Sequence, residues 1–262
     1  MALTTDIVSY YKLDETSGTN ANDEINNNEG TTHGAAVNQT GKIDKAYSFD
    51  GNDYVDLGTG ATLNLSSAFT LSFWIKPSSL GNSNEILSKS ASSGTWDYEC
   101  RVALAKPTVD LITTNGSYQV VGGDSLSTGT WYFFTARYDG STLKVYINAD
   151  EKDSVAATGA VQDTTNSYVS IARKGAYNGF YFSGLIDEVG IWSRALTSTE
   201  ITALYNSGSG FAYPFTATGT NAQINIGDDW KEIDAMQINI GDTWKAVAGA
   251  QVNIGDSWKE IY

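Results

Sequence analysis

The sequence predicts an all-β fold, a two-sheet antiparallel sandwich with one short helix near its C-terminal end, followed by a small β-hairpin repeat region. Three observations predict it. The chain of 262 residues holds 26 glycines and only 3 prolines, the punctuation of short strands joined by turns. About a dozen short apolar runs stand between those turns. From Gln223 onward a unit repeats, with Gln223–Lys231 recurring 14 residues on at Gln237–Lys245 and again at Gln251–Lys259. Hydrophobic residues make up 41% of the chain, enough for one sizeable core and a small appendage.

In order, Ile7–Leu13 reads as the opening strand, and the Asn/Asp/Gly-rich stretch Asp14–Gly34 as a long loop of the functional kind. Ala46–Phe49 and Tyr54–Leu57 flank Asp50-Gly51-Asn52-Asp53, a hairpin turn. In Phe69–Ile75 the apolar Phe69, Leu71, Phe73 and Ile75 alternate with Thr70, Ser72 and Trp74, the period of a half-buried strand. Glu85–Lys89, Tyr98–Ala105 and Val109–Thr113 continue the sheet. Trp131–Tyr138 and Thr142–Ile147 form a hairpin through Asp139-Gly140-Ser141, where glycine supplies positive φ at low steric cost. Tyr168–Ala172 is another strand, followed by the aromatic-rich loop Lys174–Ser183. Gly184–Trp192 is an apolar strand in which Asp187 shares a face, by alternation, with Leu185, Val189 and Ile191. If that face is the core, a buried carboxylate needs a partner. Thr197 with Glu200 three residues on has capping-box spacing, and Ile201, Leu204 and Tyr205 give the helix its apolar stripe, ending near Gly208.

Composition changes past Phe211. Residues 1–211 read as one domain, 212–220 as a linker, and 221–262 as three 14-residue hairpins. A three-residue Gly-Asp turn would set Ile226 opposite Trp230, and likewise Ile240 opposite Trp244 and Ile254 opposite Trp258. So short a segment buries too little to fold alone, which makes those six residues candidates for assembly with another copy or a structural partner; the alternative is packing on the same chain's own head.

The motif from Gly184 to Ile201, G-x-I-D-E-V-x-I-W-x-R-A-L-T-x-x-E-I, resembles the closing strand and helix of laminin-G-like jelly rolls, members of the concanavalin A-like lectin and glucanase group. Tyr11, Leu13, Asp14, Glu15, Ser17 and Gly18 with Asp23 resemble that family's opening strand and acidic loop. Phe49-Asp50-Gly51 with Tyr54-Val55, Phe69–Pro77 and the hairpin Trp131–Asn148 follow in the family's order. The resemblance spans residues 6–211 and implies a jelly-roll topology. It also implies a structural calcium ion tying the opening loop to the closing strand, with Asp14, Asp23, Asn26 and Asp187 as ligands. The chemistry suits a hard cation, which takes six to eight oxygens; the alternative is that Asp187 only accepts hydrogen bonds while the loop acids are solvated. The double calcium site of pentraxins, which share the fold, is not expected, because the corresponding loop Arg173-Lys174-Gly175-Ala176-Tyr177 has no carboxylate.

A formal charge of −14 leaves no basic footprint for nucleic acid. No apolar run approaches a membrane span, so no membrane insertion is expected. Cys100 is the single cysteine, so no intrachain disulfide forms. No Sec-type signal precedes the first strand. The family's glycosidase motif E-x-D-x-E is absent; Asp97-Tyr98-Glu99 comes nearest, and no enzymatic activity is expected. Sugar sites place an aromatic platform beside amide and carboxylate groups, which Trp96, Asp97, Tyr98, Tyr177, Asn178 and Tyr181 offer, unless those aromatics belong to the core. The sequence therefore reads as a lectin-like adhesion or decoration protein that binds a glycan or cell-surface polysaccharide, a phage or virion structural component displayed by its repeat tail. The alternatives are a bacterial extracellular polysaccharide-binding adhesin and a glycoside hydrolase.

Overall fold

The computed structural model describes residues 3–26, 28–91, 95–164, 167–175 and 179–216 in full, and in the tail the backbone of six strands. It divides into two compact units, Met1–Phe215 and Thr216–Tyr262. The strands of the first are β1 Ile7–Tyr11, β2 Asn20–Ala21, β3 Gly30–His33, β4 Ala36–Thr40, β5 Lys45–Asp50, β6 Tyr54–Gly58, β7 Phe69–Pro77, β8 Asn84–Ser90, β9 Trp96–Ala103, β10 Lys106–Thr113, β11 Gly116–Val121, β12 Tyr132–Tyr138, β13 Thr142–Ile147, β14 Asp150–Ala156, β15 Tyr168–Ile171 and β16 Ser183–Trp192; helix α1 is Ser198–Tyr205.

They form two antiparallel sheets. The first runs β14-β13-β12-β7-β16-β5-β4 with β1 also on β16, and the second runs β11-β10-β9-β8-β15-β6-β3-β2. Side chains from their facing surfaces, Phe69, Phe73 and Phe134 against Tyr98, Val109 and Ile171 among them, make one continuous core. A second apolar cluster covers the outer face of the first sheet, where Trp74, Phe133 and Trp192 meet Leu196, Ile201 and Leu204. This is why β7 is buried on both faces rather than half-buried. Helix α1 is held over that face by its capping box, Thr197 accepting from the Glu200 N–H while the Glu200 carboxylate accepts from the Thr197 N–H at 2.9 Å.

Three expectations are corrected by the structure. The stretch Asp14–Gly34 is not all loop, since β2 and β3 join the second sheet; a Cβ on Gly30 would stand 2.7 Å from Val55 and Leu57 side-chain atoms, so glycine lets β3 approach the core. Ala212–Phe215 is not a free linker: Tyr213 and Phe215 lie with ring centroids 5.9 and 5.3 Å from that of Tyr10. In β16 the register shifts between Asp187 and Gly190, with Glu188 at φ +54°. This bulge breaks the alternation, so Ile186, Val189 and Ile191 join the inter-sheet core while Asp187 pairs across to Trp74 of the outer cluster.

The second unit holds three separate two-stranded sheets, β17 Ala222–Ile226 with β18 Asp229–Ile233, β19 Gln237–Asn239 with β20 Trp244–Ala246, and β21 Ala250–Asn253 with β22 Trp258–Ile261. Their register is shared: Asn225 faces Trp230, Asn239 faces Trp244 and Asn253 faces Trp258. Ile226 is opposite Asp229, so the expected Ile226–Trp230 pair does not form. Ile240 and Ile254 lie outside the described residues, as do the side chains of Ile226, Trp230, Trp244 and Trp258.

Candidate functional site

On the second sheet, β9 turns Tyr98, Cys100 and Val102 into the core, which leaves Glu99 and Arg101 on the outer face. Register carries that face across neighbouring strands: Glu99 pairs with Asp110 of β10, Asp110 with Gln119 of β11, and Arg101 with Glu85 of β8. After β15, Arg173–Gly175 crosses over the same face, tied down where Ser88 Oγ donates to the Arg173 carbonyl at 2.8 Å and accepts from the Gly175 N–H at 2.7 Å. Between this crossing and β11 lies a depression of about 320 Å³ lined by Ser83, Glu85, Trp96, Glu99, Arg101, Asp110, Gln119, Lys174 and Phe180.

Its charges are largely matched. Arg101 Nε donates to Asp110 Oδ2 at 2.7 Å, Gln119 Nε2 donates to Asp110 Oδ1 at 2.6 Å, and Lys174 Nζ stands 2.7 Å from Glu99 Oε1. The same ammonium lies 4.3 Å from the ring centre of Trp96 and 5.7 Å from that of Phe180. Glu85 differs. Only 1% exposed, it accepts a long 3.3 Å bond from Ser83 at Oε1, and its Oε2 has no partner. Burial, then repulsion from Glu99, raises its pKa well above the usual carboxylate range. Trp96 Nε1 and Glu99 Oε1 are likewise buried without a hydrogen-bond partner, the latter held only by its ion pair with Lys174.

Of the glycan-binding residues expected from the sequence, Trp96 lines this depression. Tyr98 does not: it is fully buried in the core with its ring 5.7 Å from Phe69. Asp97 is also fully buried, 3.2 Å from Lys89 Nζ and accepting from the Thr164 N–H, so it fastens a loop. Tyr181 does not line the depression; its ring lies 6.4 Å from that of Tyr54, where Arg173 sits 3.6 Å over the Tyr54 ring and His33 stacks on it at 4.4 Å. Tyr177 and Asn178 lie outside the described residues. The signal for Glu85, Arg101 and Asp110 was present as charges inside otherwise apolar strand runs, but their convergence depends on cross-strand register.

The acids proposed for calcium have other work in the structure. Asp23 accepts from the backbone N–H groups of Tyr10, Ile25, Asn26 and Asn28 and so shapes the opening loop. Asn26 donates to the Val8 carbonyl, and Asp14 accepts from the Lys45 N–H at 2.8 Å. Asp187 Oδ2 accepts from the Lys42 and Ile43 N–H groups at 2.7 and 3.0 Å, while its Oδ1 is buried without a partner. Glu188 accepts from the Tyr10 hydroxyl and likewise keeps one unpartnered oxygen. Burial, with the charge of Asp14 adding to it, pushes Asp187 up to about 8, and burial with repulsion from Asp187 and Asp14 pushes Glu188 up to about 9. Unpartnered buried carboxylate oxygens thus stand on Asp187 and Glu188, whereas both oxygens of Asp23 accept backbone N–H groups, and no three Asp, Glu, His or Cys side chains converge as a metal cage among the described residues.

A family model described as the concanavalin A-like lectin/glucanases superfamily matches residues 49–202. Among solved structures, domain 4 of AbnA, an extracellular GH43 arabinanase from Geobacillus stearothermophilus, in complex with arabinotriose, superposes with a TM-score of 0.63 at 23% identity, over 75% of this chain and 97% of that one. The binding domain of Paraclostridial Mosquitocidal Protein 1 gives 0.59 at 19% identity, over 78% of this chain and 52% of that one. The ligand-binding domain of botulinum neurotoxin serotype D in complex with N-acetylneuraminic acid gives 0.58 at 15%, over 77% and 50%. The chain thus spans nearly all of the arabinanase domain and about half of each toxin domain, and at these identities the likeness carries the fold. No curated protein sequence matches.

Proposed function

The chain belongs to the concanavalin A-like lectin/glucanase superfamily, and from this we infer that its head is a non-catalytic glycan-binding domain whose site is the depression on the outer face of the second sheet. The observation that carries the reading is the unpartnered oxygen of buried Glu85 beside the Trp96 and Phe180 rings and the amide of Gln119. Aromatic surface with a few unsatisfied polar atoms is what a sugar ring requires. The arabinotriose and N-acetylneuraminic acid held by structural relatives support it. Against hydrolysis, Glu99 and Asp110 are each engaged by a cation, so neither is free to serve as nucleophile opposite a protonated Glu85. Oligosaccharide titration of the full chain and of Trp96→Ala tests the reading, with reducing-sugar release measured alongside. Binding lost in the variant without loss of fold supports it, and sugar release from the wild type overturns the non-catalytic part.

The tail extends the proposal. Three hairpins of one register suit repeated docking to a second copy or to a structural partner, which would display the head on a virion or another extracellular surface. Sizing the chain with and without residues 216–262 tests this; one monomeric species in both cases refutes it. Calcium belongs to the same proposal, at the expected Asp14, Asp23, Asn26 and Asp187, with the unpartnered oxygens of Asp187 and its neighbour Glu188 as support.

A further inference from the structure

We propose that the depression on the second sheet selects uncharged glycans and excludes acidic ones, with Glu85 as the specificity-determining residue; this rests on the glycan-binding reading above. An acidic sugar needs a cation to meet its carboxylate. Both cations that line the site are already taken, Arg101 by Asp110 at 2.7 Å and Lys174 by Glu99 at 2.7 Å. A ligand carboxylate entering there would lie among three protein carboxyl groups with no unpaired positive charge to offset them, and like charges in a partly desolvated site repel strongly.

The atoms left unsatisfied ask for the opposite chemistry. Two atoms lack partners: Glu85 Oε2, which donates when the carboxyl holds its proton and accepts when it is ionised, and Trp96 Nε1, which needs an acceptor. A sugar hydroxyl both donates and accepts, so it meets Glu85 in either form, whereas a carboxylate only accepts and an ammonium only donates. The paired charges also leave the site neutral when Glu85 holds its proton, the form that its burial and Glu99 favour. Neutral glycans therefore enter without any ion pair being broken. An ammonium sugar would instead have to draw the proton off Glu85 first.

The test is binding of the full chain to a panel of oligosaccharides in neutral, amino and acidic (sialylated or uronate) forms. Wild type should bind neutral members and leave acidic ones at least about tenfold weaker, the discrimination typical of one unpaired buried polar group. Glu85→Ala should weaken neutral binding about tenfold, and Glu85→Gln, which keeps the shape together with a donor and an acceptor, should recover most of that loss. Glu99→Gln, which releases Lys174, should bring up binding of acidic members. Acidic glycans bound as tightly as neutral ones by the wild type, or a Gln variant as defective as Ala, overturn the specificity. Absence of binding to any class overturns the glycan-binding reading itself, and with it this inference. Thermal melts of each variant separate either result from loss of fold.

Discussion

Asp187 and Glu188 give the head a pH signature that can be measured at single residues. Their ordinary values are 3.8 and 4.5, and in the fold they stand at about 8 and about 9. Below pH about 4 folded and unfolded chains both hold these protons. As pH rises from there, the unfolded chain releases protons that the folded chain retains, so stability falls until pH passes about 8 to 9 and then levels off. We expect the melting temperature in chelator to decline from pH 5 to pH 9 and Asp187→Asn to flatten that decline; equal slopes in both proteins would remove the assignment. If calcium binds here it holds the ionised forms, and its addition should raise the melting temperature most at high pH. A second pair of substitutions separates neighbours on β9. Trp96→Ala should leave folding nearly intact and abolish sugar binding, whereas Tyr98→Ala should cost about 3–5 kcal/mol in denaturant unfolding, as for other aromatic core truncations. The sequence made both aromatics candidates and could not divide them, because which faces outward depends on the register shift between β8 and β9 at Lys89 and Ser90.

Among the elements, those with a local chemical signature were legible. The Thr197/Glu200 box announces α1, and the box is formed as spaced; Thr197→Ala should lower stability by about 1 kcal/mol, read as a shifted urea midpoint with an unchanged slope. The β12–β13 hairpin was equally plain from its alternation and its Asp-Gly turn. By contrast, β14 went unread because Asp150–Ala156 carries almost no apolar residue. It is a strand through pairing with β13 alone, and its charges suit an edge exposed to other chains. The bulge in β16 was hidden for a different reason. Nothing in the composition of Ile186-Asp187-Glu188-Val189 marks Glu188 as left-handed, so strict alternation put Asp187 on the face of Val189 and Ile191, from which the bulge separates it.

At the scale of the whole molecule, the two-sheet fold was foreseeable because its main strands carry their own turns and patterns, while the site was not, because it is assembled from four strands and a crossing segment far apart in sequence. The unit Met1–Phe215 closes two cores of its own, and the aromatic residues of 211–215 belong to it. A chain cut after residue 215 should therefore melt as the head of the full chain does, whereas a cut after residue 208, which strips Phe211, Tyr213 and Phe215 from the outer cluster, should melt lower.

The tail has a consequence for variation. Among the described residues each hairpin pairs its two strands within a single fourteen-residue period, and none pairs with a strand of the next. Gain or loss of one period would thus alter the valency of the tail while leaving the backbone pairing of the remaining periods as it was, so a partner that engages one period could be held by two, three or four without new contacts being invented.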